Sequence, residues 1–151
     1  MESLKKKYQK IKIIGEGTFA VIYEGISLET SRKVAIKKIK MGDSSYGIDI
    51  GALREIRSLQ KLSHENIVNL IEVFSSKKNI NLVLEFVDSD LEKLIRDRSV
   101  VFSAGDVKSW MWMLLKGVQE CHSKWILHRV RLDEIVYFYV GFEAKQSAHC
   151  Q

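Results

Sequence analysis

Gly15-Glu16-Gly17-Thr18-Phe19-Ala20-Val21 lies between two runs whose apolar residues alternate, and its reading decides the fold. Small residues at such a turn let the backbone come close to a phosphate group while its N–H groups point at the anion. A glycine pair in a tight β-turn is also a common structural device, so the stretch has a purely architectural reading as well. The setting is strand, turn, strand. That disfavours dinucleotide-binding and Walker-type loops, both of which need glycines that open a helix. A nucleotide held here would sit under a β-hairpin.

Working outward, Ile11, Ile13, Val21, Tyr23, Val34 and Ile36 fall on alternating positions, with turn residues at Glu29 to Ser31. This predicts an antiparallel three-strand meander from Tyr8 to Lys38. From Asp49 to Leu62 the period becomes helical. Two further strands follow, Ile67 to Ser75 and Asn81 to Val87, joined by a polar turn at Lys77-Lys78-Asn79. Asp90 to Arg98 fits a short helix. Ser103 with Asp106 three residues on marks the start of a long helix to Ser123, with Val107, Trp110, Leu114, Gly117, Val118 and Cys121 as its apolar stripe. Strands, helix, strands and then helices make an α+β small lobe leading into a mostly helical region.

Two side chains stand out within this frame. Lys37 ends the apolar strand run Val34-Ala35-Ile36, although one alternating strand cannot decide whether Lys37 or Lys38 faces inward. On a helical wheel, Ala52, Ile56, Leu59 and Leu62 share one arc, and Glu55 falls inside it. A carboxylate on a core-facing stripe is costly unless a cation answers it, and Lys37 on the neighbouring strand is the candidate. The other reading is that Glu55 snorkels from the stripe's edge.

Composition narrows the class. The chain has 151 residues, 46% hydrophobic and 28% charged, with 24 Lys and Arg against 19 Asp and Glu for a net charge of +5. That is one globular domain's worth of chain or a little more. No apolar run approaches the roughly 20 residues of a membrane span, and the charged N-terminus lacks a signal peptide's apolar core, so nucleus or cytoplasm is expected. The basic residues are interspersed with acidic ones, so no direct nucleic-acid partner is expected. Cys121 and Cys150 are too few and too far apart for a metal site or a disulfide framework. There is no proline at all, where average usage of about 5% predicts roughly seven.

Taken in order, Gly15 to Val21, Val34-Ala35-Ile36-Lys37, Ala52-Leu53-Arg54-Glu55-Ile56, Leu82-Val83-Leu84-Glu85-Phe86 and Leu127-His128-Arg129 resemble the landmarks of a eukaryotic protein kinase. The Ala-Leu-Arg-Glu-Ile helix and the Val-Ala-Ile-Lys-Lys-Ile-Lys strand are most similar to cyclin-dependent kinases. Ala20 in place of the third glycine, Lys78 to Val83 and Trp125 to Arg129 resemble the branch that activates other cyclin-dependent kinases and serves general transcription.

The resemblance implies a kinase small lobe, an antiparallel five-strand sheet plus one helix, with a hinge over residues 1–87. It further implies the start of a helical large lobe over 88–129, and leaves 130–151 without a family match. It implies ATP and magnesium as cofactors, serine or threonine of a protein substrate as acceptor, and a cyclin or assembly factor against the helix around Glu55. Gly15, Glu16 and Gly17 would form the flap over the phosphates, with Val21 and Ala35 beside the adenine. Lys37 would hold the α- and β-phosphates, oriented by Glu55. Leu84 would guard the back of the pocket, Glu85 and Val87 would offer backbone groups to the adenine edge, and Asp90 would lie near the ribose.

After His128 and Arg129 of the catalytic loop, Val130 occupies the position of the aspartate that accepts the substrate's hydroxyl proton. With no gap, Ile135 falls where the family has a metal-binding asparagine. No Asp-Phe-Gly follows, and no protein metal ligand is assigned. The expectation is therefore a kinase-family chain that is truncated or frame-shifted and inactive as written. The alternative is a noncatalytic, cyclin-binding pseudokinase fragment.

Overall fold

The computed structural model describes residues 7–18, 20–40, 50–76, 79–88 and 91–127. Its elements are β1 (Tyr8–Glu16), β2 (Ala20–Ser27), β3 (Lys33–Lys40), α1 (Ile50–Lys61), β4 (Leu70–Ser76), β5 (Asn79–Glu85), α2 (Leu91–Arg96) and α3 (Ala104–Ser123). The chain divides into two compact units, one of residues 1–61 and 69–86, the other of 62–68 and 87–151.

In the first unit all five strands form one antiparallel sheet in the order β1-β2-β3-β5-β4. The meander is present, and β5 rather than β4 is laid against β3. That places Leu82 and Val83 on an interior strand with no exposed surface, as the near-continuous apolar run Leu82 to Leu84 requires of a strand buried on both faces. One face carries the cluster Val34, Ile36 and Val83, with Tyr8, Tyr23 and Phe74 packed around it. The other carries Lys37 towards α1, whose Ala52, Ile56 and Leu59 are buried. β4 starts at Leu70, three residues later than the apolar run suggests, because Ile67 is buried in the other unit against Leu62 and Cys121. Asn79, expected in a turn, is the first residue of β5.

In β1 the alternation does not mark a buried face. Ile11 and Ile13 are half exposed, because register shifts between Lys10 and Lys12 and between Ile13 and Gly15 break the pairing of this edge strand. The sheet also curls: Tyr8 at the start of β1 donates from Oη to Glu72 Oε2 of β4 at 2.8 Å, and Lys7 Nζ binds Glu72 Oε1 at 2.9 Å. The Tyr8 and Phe74 rings stack beside them, 6.1 Å apart. Burial, and then Glu72, push the Tyr8 phenol up to about 12. The hydrogen bond from Lys7, followed by that from Tyr8, holds the Glu72 carboxyl below its usual range.

A depressed carboxyl contributes stability that is complete above its unfolded pKa of about 4.3 and is lost as pH falls through its folded value. Glu72→Gln should therefore be less stable than the parent at pH 7, with the difference closing below about pH 4, near the ordinary carboxylate range. Thermal melts across that range check this, and a gap that stays constant with pH contradicts it.

Gly25 is a glycine that the fold itself demands. A Cβ built there would stand 2.8 Å from Ile36 Cδ1 and 2.9 Å from the backbone oxygen of Gln9. The second contact cannot relax without moving β1, so Gly25→Ala should cost about 1–3 kcal/mol as an overpacked site. Urea unfolding reads this directly, and a change under about 0.5 kcal/mol, ordinary for a neutral surface site, would show that β1 gives way freely. Asn81 is the converse. It is 2% exposed and its Nδ2 has no hydrogen-bond partner among the described residues. Replacing such a group with an apolar one of similar shape is neutral to stabilising, so Asn81→Leu should raise stability by up to about 1–3 kcal/mol. A loss of stability in the same urea assay would show that the amide is needed.

In the second unit, Ser103 caps α3 by accepting from the Asp106 N–H at 3.2 Å, while Asp106 accepts from the Ser103 N–H at 2.8 Å, the box read from the sequence. Leu114, Val118 and Cys121 pack on Leu62, Ile67 and Ile126. Val107, assigned to the same stripe, is 48% exposed. It sits in the first turn, two turns before Leu114 where the packing against Leu62 and Ile67 begins.

Candidate functional site

The cross-strand register of the first unit decides which side chains can act together, because directly opposed residues in a sheet share a face. Lys37 lies opposite Ile22 on one side and Leu82 on the other. Ala35 lies opposite Leu84, and Ile22 lies opposite Gly15. Gly15, Ile22, Ala35, Lys37 and Leu84 therefore line one face of the sheet. Into this face comes Glu55 from α1: Lys37 Nζ donates to Glu55 Oε1 at 2.6 Å. Both side chains are about three-quarters buried, at 26% and 27% exposed. Of the two lysines the sequence left undecided, Lys37 faces the helix. Arg54 and Arg57 are exposed, so α1 turns its carboxylate inward and its guanidinium groups outward.

One expectation is corrected here. Val21, expected beside the adenine, lies opposite Lys38 and so belongs to the other face, where it is buried. Ile22 takes its place on the Lys37 face. A slip of one residue along a strand exchanges the two faces, and counting in twos across the hairpin from Lys37 would have selected Ile22. Glu16, opposite Val21, also points its side chain away from Lys37, and its Oε1 accepts from Lys40 Nζ at 3.4 Å. Its share in a flap falls to its backbone.

The hairpin turn is closed by the Gly17 N–H donating to the Ala20 carbonyl at 2.9 Å. Neither flap glycine is imposed by packing. A Cβ at Gly15 would meet only Ile22, at 3.6 Å, and one at Gly17 only the Ala20 oxygen at 3.9 Å. Unlike Gly25, these glycines leave bare backbone where the fold has room for side chains, which suits the close approach of a ligand.

At the end of β5, the Glu85 N–H donates to the Asn69 carbonyl at 3.0 Å, and Glu85 Oε2 accepts from the Asn69 N–H at 3.4 Å. The Glu85 N–H is thus already bonded within the first unit. Val87 is half-buried and belongs to the second unit. Asp90, His128, Arg129 and Val130 lie outside the described residues.

The arrangement offers one cation locked by a carboxylate, two bare glycines and an apolar strip of Ile22, Ala35 and Leu84. Those elements fit the triphosphate and base of a nucleotide. Among the described residues no three His, Cys, Asp or Glu side chains gather as a metal site, and no helix is long and apolar enough to cross a membrane.

Residues 8–130 match the family described as the protein kinase domain. The chain is 53% identical over 128 residues to serine/threonine-protein kinase crk1 of Schizosaccharomyces pombe, covering 85% of this chain and 38% of that one. It is 48% identical over 123 residues to serine/threonine-protein kinase KIN28 of Saccharomyces cerevisiae, covering 82% and 40%. With cyclin-dependent kinase 7 of Xenopus laevis it shares 46% over 132 residues, covering 85% and 38%. The chain thus spans about two fifths of the length of these relatives.

Proposed function

The chain belongs to the protein kinase domain family, among relatives of the cyclin-dependent kinase 7, KIN28 and crk1 type, and from that premise we propose that it supplies the ATP-binding part of a cyclin-dependent serine/threonine kinase. The observation that carries the reading is the 2.6 Å ion pair between Lys37 and Glu55. A lysine needed only for solubility would not be drawn in from solvent and matched to a carboxylate on a helix's buried arc.

Residues 1–87 serve as the nucleotide-holding lobe and hinge, 88–129 as the start of the substrate lobe, and 130–151 as a divergent segment. ATP, when bound with magnesium, supplies the phosphoryl group. The chain's own part is to hold it. The backbone around Gly15 and Gly17 would lie over the phosphates, and the Lys37 ammonium, held by Glu55, would neutralise the α- and β-phosphates. Ile22 and Ala35 would flank the adenine and Leu84 would guard the back of its pocket, while by the family's pattern Glu85 and Val87 would offer backbone groups to the adenine edge and Asp90 would lie near the ribose. The helix around Glu55 would receive a cyclin or an assembly factor, and a serine or threonine of a protein would be the acceptor.

Val130 stands at the catalytic aspartate's position beside His128 and Arg129. A hydrocarbon cannot accept the hydroxyl proton, and loss of a positioned base costs about 10² to 10⁴ in rate. As written, the chain binds and does not transfer; a second reading is accordingly a noncatalytic, cyclin-binding module. Calorimetric titration with magnesium-ATP tests the ATP-binding reading. Weak saturable binding, displaced by ADP, is expected; no binding at 10 mM ligand, a binding free energy weaker than about −3 kcal/mol, would overturn the reading. In a parallel kinase assay Val130→Asp alone should not exceed the background of Lys37→Met.

A further inference from the structure

Between α2 and α3 runs a seven-residue segment, 97–103, that nucleotide binding does not use. It is tied at both ends. The Asp97 N–H donates to the Lys93 and Leu94 carbonyls at 3.0 and 3.2 Å, and Phe102 sets its ring edge-on to Trp110 of α3, 4.9 Å between centroids. Between these ties the chain turns out into solvent: residues 97–101 are all exposed, Val101 to 91%. Ser99 is the third residue of a turn closed by the Val100 N–H, which donates to the Asp97 carbonyl at 3.1 Å. The Ser99 N–H and Oγ both donate to Asp97 Oδ1, at 2.9 and 2.6 Å. All three bonds stand in water, so opening the turn exchanges them for bonds to solvent at little cost.

The residues around this hydroxyl are not neutral. Arg96 lies three residues before Ser99 and Arg98 directly before it, and no other Ser or Thr in the sequence has Arg or Lys three residues before it. Once extended, the segment places Arg96 and Arg98 on one face about 7 Å apart. Two carboxylates lining an enzyme's groove can each take one guanidinium there in a bidentate pair. Val100-Val101-Phe102 follow Ser99 and the chain has no proline, so an acid-directed or proline-directed enzyme finds nothing to hold.

We propose that Ser99 is a phosphorylation site for a separate, arginine-directed serine kinase. Ser99 Oγ attacks the γ-phosphorus of that enzyme's ATP. The Oγ–P bond forms, the bond from the phosphorus to the bridging oxygen of ADP breaks, and the hydroxyl proton passes to the enzyme's catalytic carboxylate. The product carries about two negative charges where Oγ now donates to Asp97. With no proton left to donate, the phosphate is repelled by that carboxylate and the turn opens. The inference stands independently of the nucleotide reading, since it uses only the second unit.

The test incubates the full chain, and separately a peptide of residues 93–103, with an arginine-directed serine kinase and radiolabelled magnesium-ATP. Tandem mass spectrometry locates the label. Label on Ser99 is expected, with kcat/KM on the full chain within about tenfold of the peptide's, because the turn opens cheaply. Arg96→Gln should lower kcat/KM about tenfold or more, the scale of one lost bond between charged groups, and Ser99→Ala should abolish labelling. Thermal melts of both variants against the parent show that lost labelling is not lost folding. Label placed on another residue, a rate on the full chain more than about a hundredfold below the peptide's, equal labelling of Arg96→Gln, or equal labelling of Ser99 by an acid-directed kinase would overturn the proposal.

Discussion

Lys37→Met should weaken magnesium-ATP binding at least tenfold, the largest functional effect of any single substitution in the first unit. A hydrogen bond to a charged group contributes about 1.5–3 kcal/mol, or roughly 10- to 150-fold in affinity. Lys37 is the cation that the strand register and α1 together bring to the glycine turn's face of the sheet. Glu55→Gln should have a smaller effect, because the ammonium remains and only its anchor is weakened. Lys37→Arg should fall between, since a guanidinium is longer and planar and cannot take the same 2.6 Å contact without moving α1. Circular dichroism on the same samples separates lost binding from lost folding. A Met variant that binds within twofold of the parent would remove Lys37 from the site and with it the main support for the nucleotide reading.

Ile36→Ala should produce the largest loss of stability. Ile36 has no exposed surface and joins Val34 and Val83 in the cluster closed by Tyr8, Tyr23 and Phe74. Truncating a fully buried Ile to Ala costs about 2–5 kcal/mol through lost transfer energy and the cavity left behind. Against a typical net stability of about 5–15 kcal/mol that is a large fraction. The matching change at half-exposed Ile13 should stay within about 0.5 kcal/mol. Ile36 also limits Gly25, through its Cδ1 at 2.8 Å from the missing Cβ. In an Ile36→Val background, which lacks that methyl group, Gly25→Ala should therefore cost less than in the parent, a coupling that a double-mutant cycle reads. Strict additivity would place the whole clash on the Gln9 carbonyl.

Much of this was legible in the residues. Alternation in β2 and β3, the helical arc of Ala52, Ile56, Leu59 and Leu62, and the Ser103–Asp106 cap are local patterns. Local patterns survive folding when the face they select is the one that becomes buried. Glu55 was legible for the same reason in reverse, as a carboxylate on an apolar arc that had to find a cation.

The tertiary structure decided what depends on partners distant in sequence. Whether Lys37 or Lys38 met Glu55, and whether Val21 or Ile22 shared that face, turned on the β2–β3 register, since a shift of one residue reverses every side chain. Ile11 and Ile13 alternate correctly yet stand in solvent, because bulges break the pairing of an edge strand. Ile67 reads as strand but is buried against Cys121 on a helix more than 50 residues later, a contact that no window of sequence contains. Gly25 looks like any glycine until Ile36 and Gln9 close on it. The sequence by itself determined the elements, the family and the inward carboxylate; the register and the packing of the curled sheet determined which face each residue serves, because facing is a property of pairs of strands and never of one strand alone.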